Sequence, residues 1–466
     1  LWRKGGSSNA MSDKETSTIF QDGERVQTKL ELITQRAREN PKMRFTSLAH
    51  HLNEGFLLEC FQELKKNKAP GIDGVTVEKY EEKLEENLKD LVARLKGKQY
   101  RPQPVRRVYI PKDEKSVRPL GIPTVEDKIV QMGIKKILEA IYEQDFVEGS
   151  YGFRPKRGCH DALEVVDKTI MTKAVNYVVD MDIEKFFDTV EYKWMMKSLE
   201  QRIADPSLLR LIGRFLKAGI MEDGIYQETD RGTPQGGVIS PVLANIYLHY
   251  VLDLWFEKVV KRQTKGYASL TRYADDFIAC FENEEEAKRF GESLRLRMGK
   301  FGLKVSEEKS KIIEFGRKAW QRWQEGGEKV PTFNFLGFTY YSENTRKGTF
   351  KVGRKTNPKK MRAKLKAMNQ WLKSIRNAVE FKVWWPILKQ KLIGHYRYYG
   401  ISGNMRGIRI YYSQCVKLAY KWVNRRSQKK SFNWEKYRRL IYEWNPLPQP
   451  KIYHLTYTLS SKRKCY

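Results

Sequence analysis

The chain has 466 residues, 40% hydrophobic and 12% aromatic, enough for two or three domains with cores of their own. It carries a net charge of +32, from 88 Lys+Arg against 56 Asp+Glu. No run approaches the roughly 18 apolar residues of a membrane span and no positive-then-apolar leader opens the chain, which argues against a membrane or secreted protein. Five scattered cysteines (Cys60, Cys159, Cys280, Cys415, Cys465), without a C-x-x-C pair, argue against a disulfide framework or a zinc site. They suit a reducing cytoplasm.

In chain order, residues 1–10 ahead of Met11 read as an appended tag, and 11–92 as a mostly helical N-terminal extension. Residues 78–97 have helical spacing and end at Gly97. "YRPQPVRRVYIPK" is extended and basic, and "IPKDEKSVRPLGIP" reads as a hairpin-like turn that feeds a long helix. "NYVVDMDIEKFF" is a strand that ends in acids, and "DTVE" (Asp188 to Glu191) reads as a capping box opening a helix around 189–200. "GTPQGGVISPVLANIYLHY" is a glycine-rich turn before another long helix. Residues 342–357 read as a linker. Beyond it the pattern turns helical and basic: 351–466 holds 29 Lys+Arg and three acids (Glu380, Glu435, Glu443), leaving 59 bases and 53 acids in the first 350 residues. A polycation interleaved with Trp371, Trp384, Trp385, Trp422 and Trp434 fits nucleic acid better than an anionic membrane, because cations hold phosphates and rings stack bases.

The stretch "TRYADDFIACF" sets Asp275 and Asp276 side by side within apolar strand sequence, which predicts a β-hairpin with the acids at its tip. Two carboxylates so close repel unless a cation neutralises them, and oxygen ligands suit Mg²⁺. "YVVDMDIEKFFD" adds a third carboxylate at a strand end. Asp180 and Asp182 share one strand face, and spacing alone does not choose between them. Three carboxylates around two Mg²⁺ ions suit nucleotidyl transfer, in which charge builds on an attacking 3′-oxygen and on a leaving pyrophosphate.

"YADD" matches the Tyr-x-Asp-Asp motif of reverse transcriptases. In chain order "RPLGIP", "YGFRPKRG", "DIEKFFD", "GTPQGGVISP", "GLKVSEEKS" and "FLGF" accompany it. Together they resemble the successive motifs of group II intron-encoded reverse transcriptase/maturases over roughly 45–455. The resemblance implies an α+β right-hand polymerase: fingers and an antiparallel-sheet palm over 93–341, and a basic α-helical thumb/maturase domain over 358–466. It selects Asp182 with Asp275 and Asp276 as catalytic metal ligands, adds the Ile183 carbonyl, and leaves Asp180 a strand-surface role and Asp188 a helix cap. It assigns the nucleotide to Lys112, Arg118, Phe187 (against the sugar, with Phe186 in the core), Gln235 and Lys309, and implies that glycines around Gln235 let backbone approach that nucleotide. Leu336 and Gly337 fall in the primer-gripping turn. A His-Asn-His endonuclease domain is not recognisable.

In "RKTNPKKMRAKLKAMNQWLKSIRN", Met361, Leu365, Met368 and Leu372 are expected to face a core, with Lys359, Lys360, Arg362 and Lys364 on other faces toward RNA. Arg425, Arg426, Lys429 and Lys430 join them as expected phosphate contacts, and His160 and His395 read as structural or RNA-facing. The resemblance implies Mg²⁺-dependent RNA-directed DNA synthesis in the bacterial cytoplasm or nucleoid. The partners implied are a group II intron RNA, a DNA primer or target and dNTPs, with roles in splicing and retrohoming. Two alternatives stay open: a domesticated host-defence or CRISPR-associated reverse transcriptase, and a splicing cofactor that binds RNA without polymerising.

Overall fold

The computed structural model describes residues 28–111, 117–222, 224–228, 231–232, 236–425 and 432–455. The strands in chain order are β1 (Val105–Pro111), β2 (Val117–Ile122), β3 (Tyr177–Met181), β4 (Ile220–Glu222), β5 (Ile225–Gln227), β6 (Ala268–Tyr273), β7 (Asp276–Phe281), β8 (Lys311–Glu314), β9 (Phe333–Phe335), β10 (Phe338–Asn344) and β11 (Phe350–Thr356). With the helices between them they make a mixed α+β chain. It divides into two units, each assembled from separated segments: Leu1–Lys156, Ile183–Val259 and Leu294–Val305 in one, and Arg157–Asp182, Val260–Ser293 and Ser306–Tyr466 in the other.

The first unit holds a four-stranded sheet in the order β2-β1-β4-β5, antiparallel except for the parallel pair β1–β4. Its main core element is the helix Val125–Tyr142, whose Ile129, Val130, Ile134, Ile137, Leu138 and Ile141 are all fully buried. Thr124 caps that helix by accepting from the Asp127 N–H at 3.2 Å, and Tyr100 donates to the Asp127 carboxylate at 2.6 Å. The predicted β1–β2 hairpin is present, with Arg118 opposite Ile110 and exposed. Residues 78–97 form two helices, Val77–Glu81 and Leu84–Lys96.

One expectation in this unit needs correction. Asp188 is not a cap: it lies within the short helix Phe186–Thr189, and the next helix, Tyr192–Leu199, starts after Glu191 without a side-chain cap bond. Val190, fully buried and extended between them, fixes the break. The glycines on either side of Gln235 lie tight against protein backbone. A Cβ on Gly232 (φ +90°) would lie 2.9 Å from the Phe187 carbonyl oxygen, and one on Gly236 (φ +110°) would lie 2.5 Å from that of Gly121 in β2.

The second unit holds an antiparallel sheet in the order β6-β7-β3-β8 and a three-stranded sheet, β11-β10-β9. β3 is central, and Val178, Val179 and Met181 are buried as its apolar sequence predicts. Residues 342–357, expected to be a linker, instead carry β11, which pairs along its whole length with β10. Phe350, Val352, Arg354 and Thr356 alternate inward there, and Arg354 forms a buried ion pair with Asp167. Polar composition hid a strand whose inner face includes a paired arginine. Helices Pro358–Ile375, Phe381–Tyr399 and Met405–Val423 follow. Met368 and Leu372 are buried and Met361 and Leu365 half-buried, on the predicted face.

Candidate active site

The three aspartates come together through strand register. β3 pairs antiparallel with β7, with Asp180 opposite Ile278 and Met181 opposite Phe277. Asp182 directly follows Met181 and Asp276 directly precedes Phe277, so both carboxylates fall at the same end of this strand pair, and the Asp182 charge acts on Asp276. Asp275 occupies the adjoining two-residue turn, where Tyr273 pairs with Asp276. Ala274 in that turn has φ +58°, a left-handed conformation that a non-glycine residue adopts at a cost of about 1–3 kcal/mol. Beneath it the fully buried Arg272 donates to the Ala274 carbonyl at 2.8 Å and holds the tip in that conformation.

The electrostatics are those of crowded like charges. Asp276 can be reached by solvent, yet protein atoms packed around its base and the neighbouring Asp180, Asp275 and Asp182 push its carboxyl up to about 7. The nearby Leu336 backbone acts in the opposite direction. Asp180, half-buried mid-strand between Ile278 and Lys311, is also pushed up to about 7, by burial and then by Asp182. The expected strand-surface role for Asp180 therefore gives way: it belongs to the charge cluster. Its place two residues before Asp182 was visible in sequence, but the closeness of β7 was not. Arg272 and Tyr398, the latter discussed below, are the other members that sequence reasoning passed over.

Asp182 meets a cation already. Lys309 Nζ lies 2.7 Å from Asp182 Oδ2, and the Asp182 carbonyl accepts from the Ser306 N–H at 2.8 Å. Among the described residues no group of three or more His, Cys, Asp or Glu side chains stands ready as an ion cage. The Lys309 ammonium partly neutralises a cluster whose chemistry suits a divalent ion, since Asp180 and Asp276, both with raised proton affinity, are starved of positive charge.

Other predicted positions are distributed as follows. Phe187 is half-buried against Phe186, which is the core ring as expected. Ile183 is buried in a bridge to Val305. Lys359, Lys360 and Arg362 are exposed, whereas Lys364 lies 5.5 Å from the centre of the Tyr399 ring. Arg425 is exposed over Trp422. His395 is buried and stacked on Tyr411, with burial pushing its pKa down to about 3, and is a core ring. Lys112, Gln235, Arg426, Lys429 and Lys430 lie outside the described residues.

A family model described as reverse transcriptase (RNA-dependent DNA polymerase) matches residues 110–340, which contain all four aspartates, Lys309 and the Leu336–Gly337 turn. Protein YkfC of Escherichia coli strain K12 is 33% identical over 296 residues, 56% of this chain and 78% of that protein. The group II intron-encoded protein LtrA of Lactococcus lactis subsp. cremoris is 35% identical over 302 residues, 62% of this chain and 50% of LtrA. The chain belongs to the group II intron reverse transcriptase/maturase family. It spans about half the length of LtrA. A putative COX1/OXI3 intron 2 protein of Saccharomyces cerevisiae is 38% identical over 155 residues, 33% of this chain and 18% of that protein. Among the described residues no helix of this family member is long and apolar enough to cross a membrane.

Proposed function

We propose that the chain is an RNA-directed DNA polymerase that binds a group II intron RNA, assists its splicing and copies it into DNA. The observation that carries this reading is the β3–β7 pairing, whose last pair, Met181 with Phe277, is flanked directly by Asp182 and by Asp276 of the YADD tip. The β6-β7-β3-β8 sheet is then the palm, the β2-β1-β4-β5 sheet the fingers, and the basic helices after Pro358 the thumb.

Asp182, Asp275 and Asp276, with the Ile183 carbonyl, would hold two Mg²⁺ ions; these would supply positive charge where the primer 3′-oxygen attacks and where pyrophosphate leaves. Lys309 keeps Asp182 neutralised until such ions arrive, and its ammonium is then available to triphosphate oxygens. Arg118, Lys112 and Gln235 are assigned to the nucleotide and Phe187 to its sugar. Leu336 and Gly337 are assigned to the primer end, and Lys359, Lys360, Arg362, Lys364, Arg425, Arg426, Lys429 and Lys430 to RNA phosphates. No dedicated strong base is required, because positioning and charge neutralisation lower most of the barrier.

Primer extension on an RNA template tests the reading. The wild-type chain extends, and the Asp275→Ala, Asp276→Ala double variant loses extension while keeping its affinity for RNA. RNA binding without any wild-type extension would overturn the polymerase reading in favour of a splicing cofactor.

A further inference from the structure

The turn between β9 and β10 consists of Leu336 and Gly337, with φ of +47° and +79°. Left-handed φ at both central residues is the signature of a type I′ hairpin turn, which favours Asn-Gly or Gly-Gly. Leucine in the first place is strained, so something must hold it there. Glycine in the second place is explained by Tyr399, whose hydroxyl would lie 3.1 Å from a Cβ on Gly337.

The restraint on Leu336 comes from the helix Phe381–Tyr399. The Tyr398 hydroxyl donates to the Leu336 carbonyl at 2.9 Å, and its ring stacks on Phe338 at 6.0 Å between centroids and 17° between planes. Tyr398 itself is anchored through its main chain, since its carbonyl meets His160 Nε2 at 2.8 Å. β9 packs beside β7, and the Leu336 backbone lies near enough to the Asp276 carboxylate to lower its proton affinity. One strained residue therefore joins a tyrosine on a distant helix to a carboxylate of the charge cluster.

We infer that Tyr398 is a positioning residue for nucleotidyl transfer: its hydroxyl fixes the Leu336 peptide so that this backbone positions the Asp276 carboxylate and the 336–337 turn keeps its shape. This rests on the polymerase reading above. A helix whose Tyr398 lies 62 residues downstream of Leu336 thereby sets the geometry of the catalytic tip, which the motif around Asp276 does not do alone.

Tyr398→Phe removes one oxygen and keeps the stacked ring. One lost hydrogen bond is expected to slow extension about three- to tenfold. The dNTP KM should stay within about twofold, and melting should shift by no more than about 2 °C. Adding Leu336→Asn creates Asn-Gly, which takes the left-handed turn without help, and is expected to restore most of the rate. Hydrogen exchange on the free protein supplies a readout independent of activity: the Leu336 amide should exchange faster in Tyr398→Phe, with the β9 and β10 amides unchanged. Wild-type extension and wild-type exchange in Tyr398→Phe would overturn the inference, as would a rate loss that tracks melting and resists Leu336→Asn. If the wild-type chain extends no primer, the polymerase reading fails by itself, and the exchange experiment still decides whether Tyr398 fixes the Leu336 peptide.

Discussion

Replacing Lys309 by Gln should tighten the binding of divalent ions while impairing use of the nucleotide. The side chains of Lys309 and Asp182 are 64% and 46% exposed and meet at 2.7 Å. An ion pair that exposed contributes about 0.2–1 kcal/mol, which an arriving metal ion must give up to free the carboxylate. Removing the ammonium should therefore strengthen metal affinity by about 1.4- to 5-fold. The figure is a lower bound, because losing a unit positive charge beside a dication acts in the same direction. Calorimetric titration of Mn²⁺ into the protein alone, without nucleic acid, reads the effect directly. Repeating it at high salt should shrink the difference, since exposed charges are screened. Under the proposed role the same variant needs more dNTP to reach half-maximal extension. Unchanged or weaker metal binding in Lys309→Gln would refute the idea that this lysine stands in for the ion.

Two further outcomes follow from buried charge. Arg354→Met leaves Asp167 without its cation among buried side chains and should cost about 3–5 kcal/mol in urea unfolding; pairing it with Asp167→Leu should recover much of the loss, and a cost under about 1 kcal/mol would show that the pair is not desolvated. Asp180 and Asp276 are raised from about 3.8 to about 7, so between those values the folded metal-free protein holds protons that the unfolded chain has already released. Stability should then fall as pH rises through that window, and more steeply in wild type than in an Asp180→Asn, Asp276→Asn variant; equal slopes in melting against pH would refute the raised values.

The site was legible in sequence to the extent that it depends on local pattern. The apolar run before Asp182 and the paired acids in a hairpin context are local signals, and the strands formed where those patterns predicted them. What sequence did not reveal depends on which strand lies beside which. Asp180 joins the charge cluster because β7 runs alongside it, and nothing in "VVDMD" reports that neighbour. β11 was read as a linker because its inner face includes an arginine, whose burial is acceptable only with Asp167 at hand. In each case a long-range partner changes the meaning of a locally plausible pattern.

The position of β3 has a consequence for biosynthesis. Both its neighbours arrive later: Tyr177 pairs with Phe281 on one side and with Glu314 on the other. During vectorial synthesis, an apolar strand with two unsatisfied edges waits while the 95 residues between Met181 and Phe277 emerge before its first partner becomes available. Such edges invite pairing with other nascent chains, and closing so long a loop is slow. Ribosome-associated chaperones that cover apolar segments would protect this interval, and the yield of active protein should depend on translation speed between codons 182 and 314.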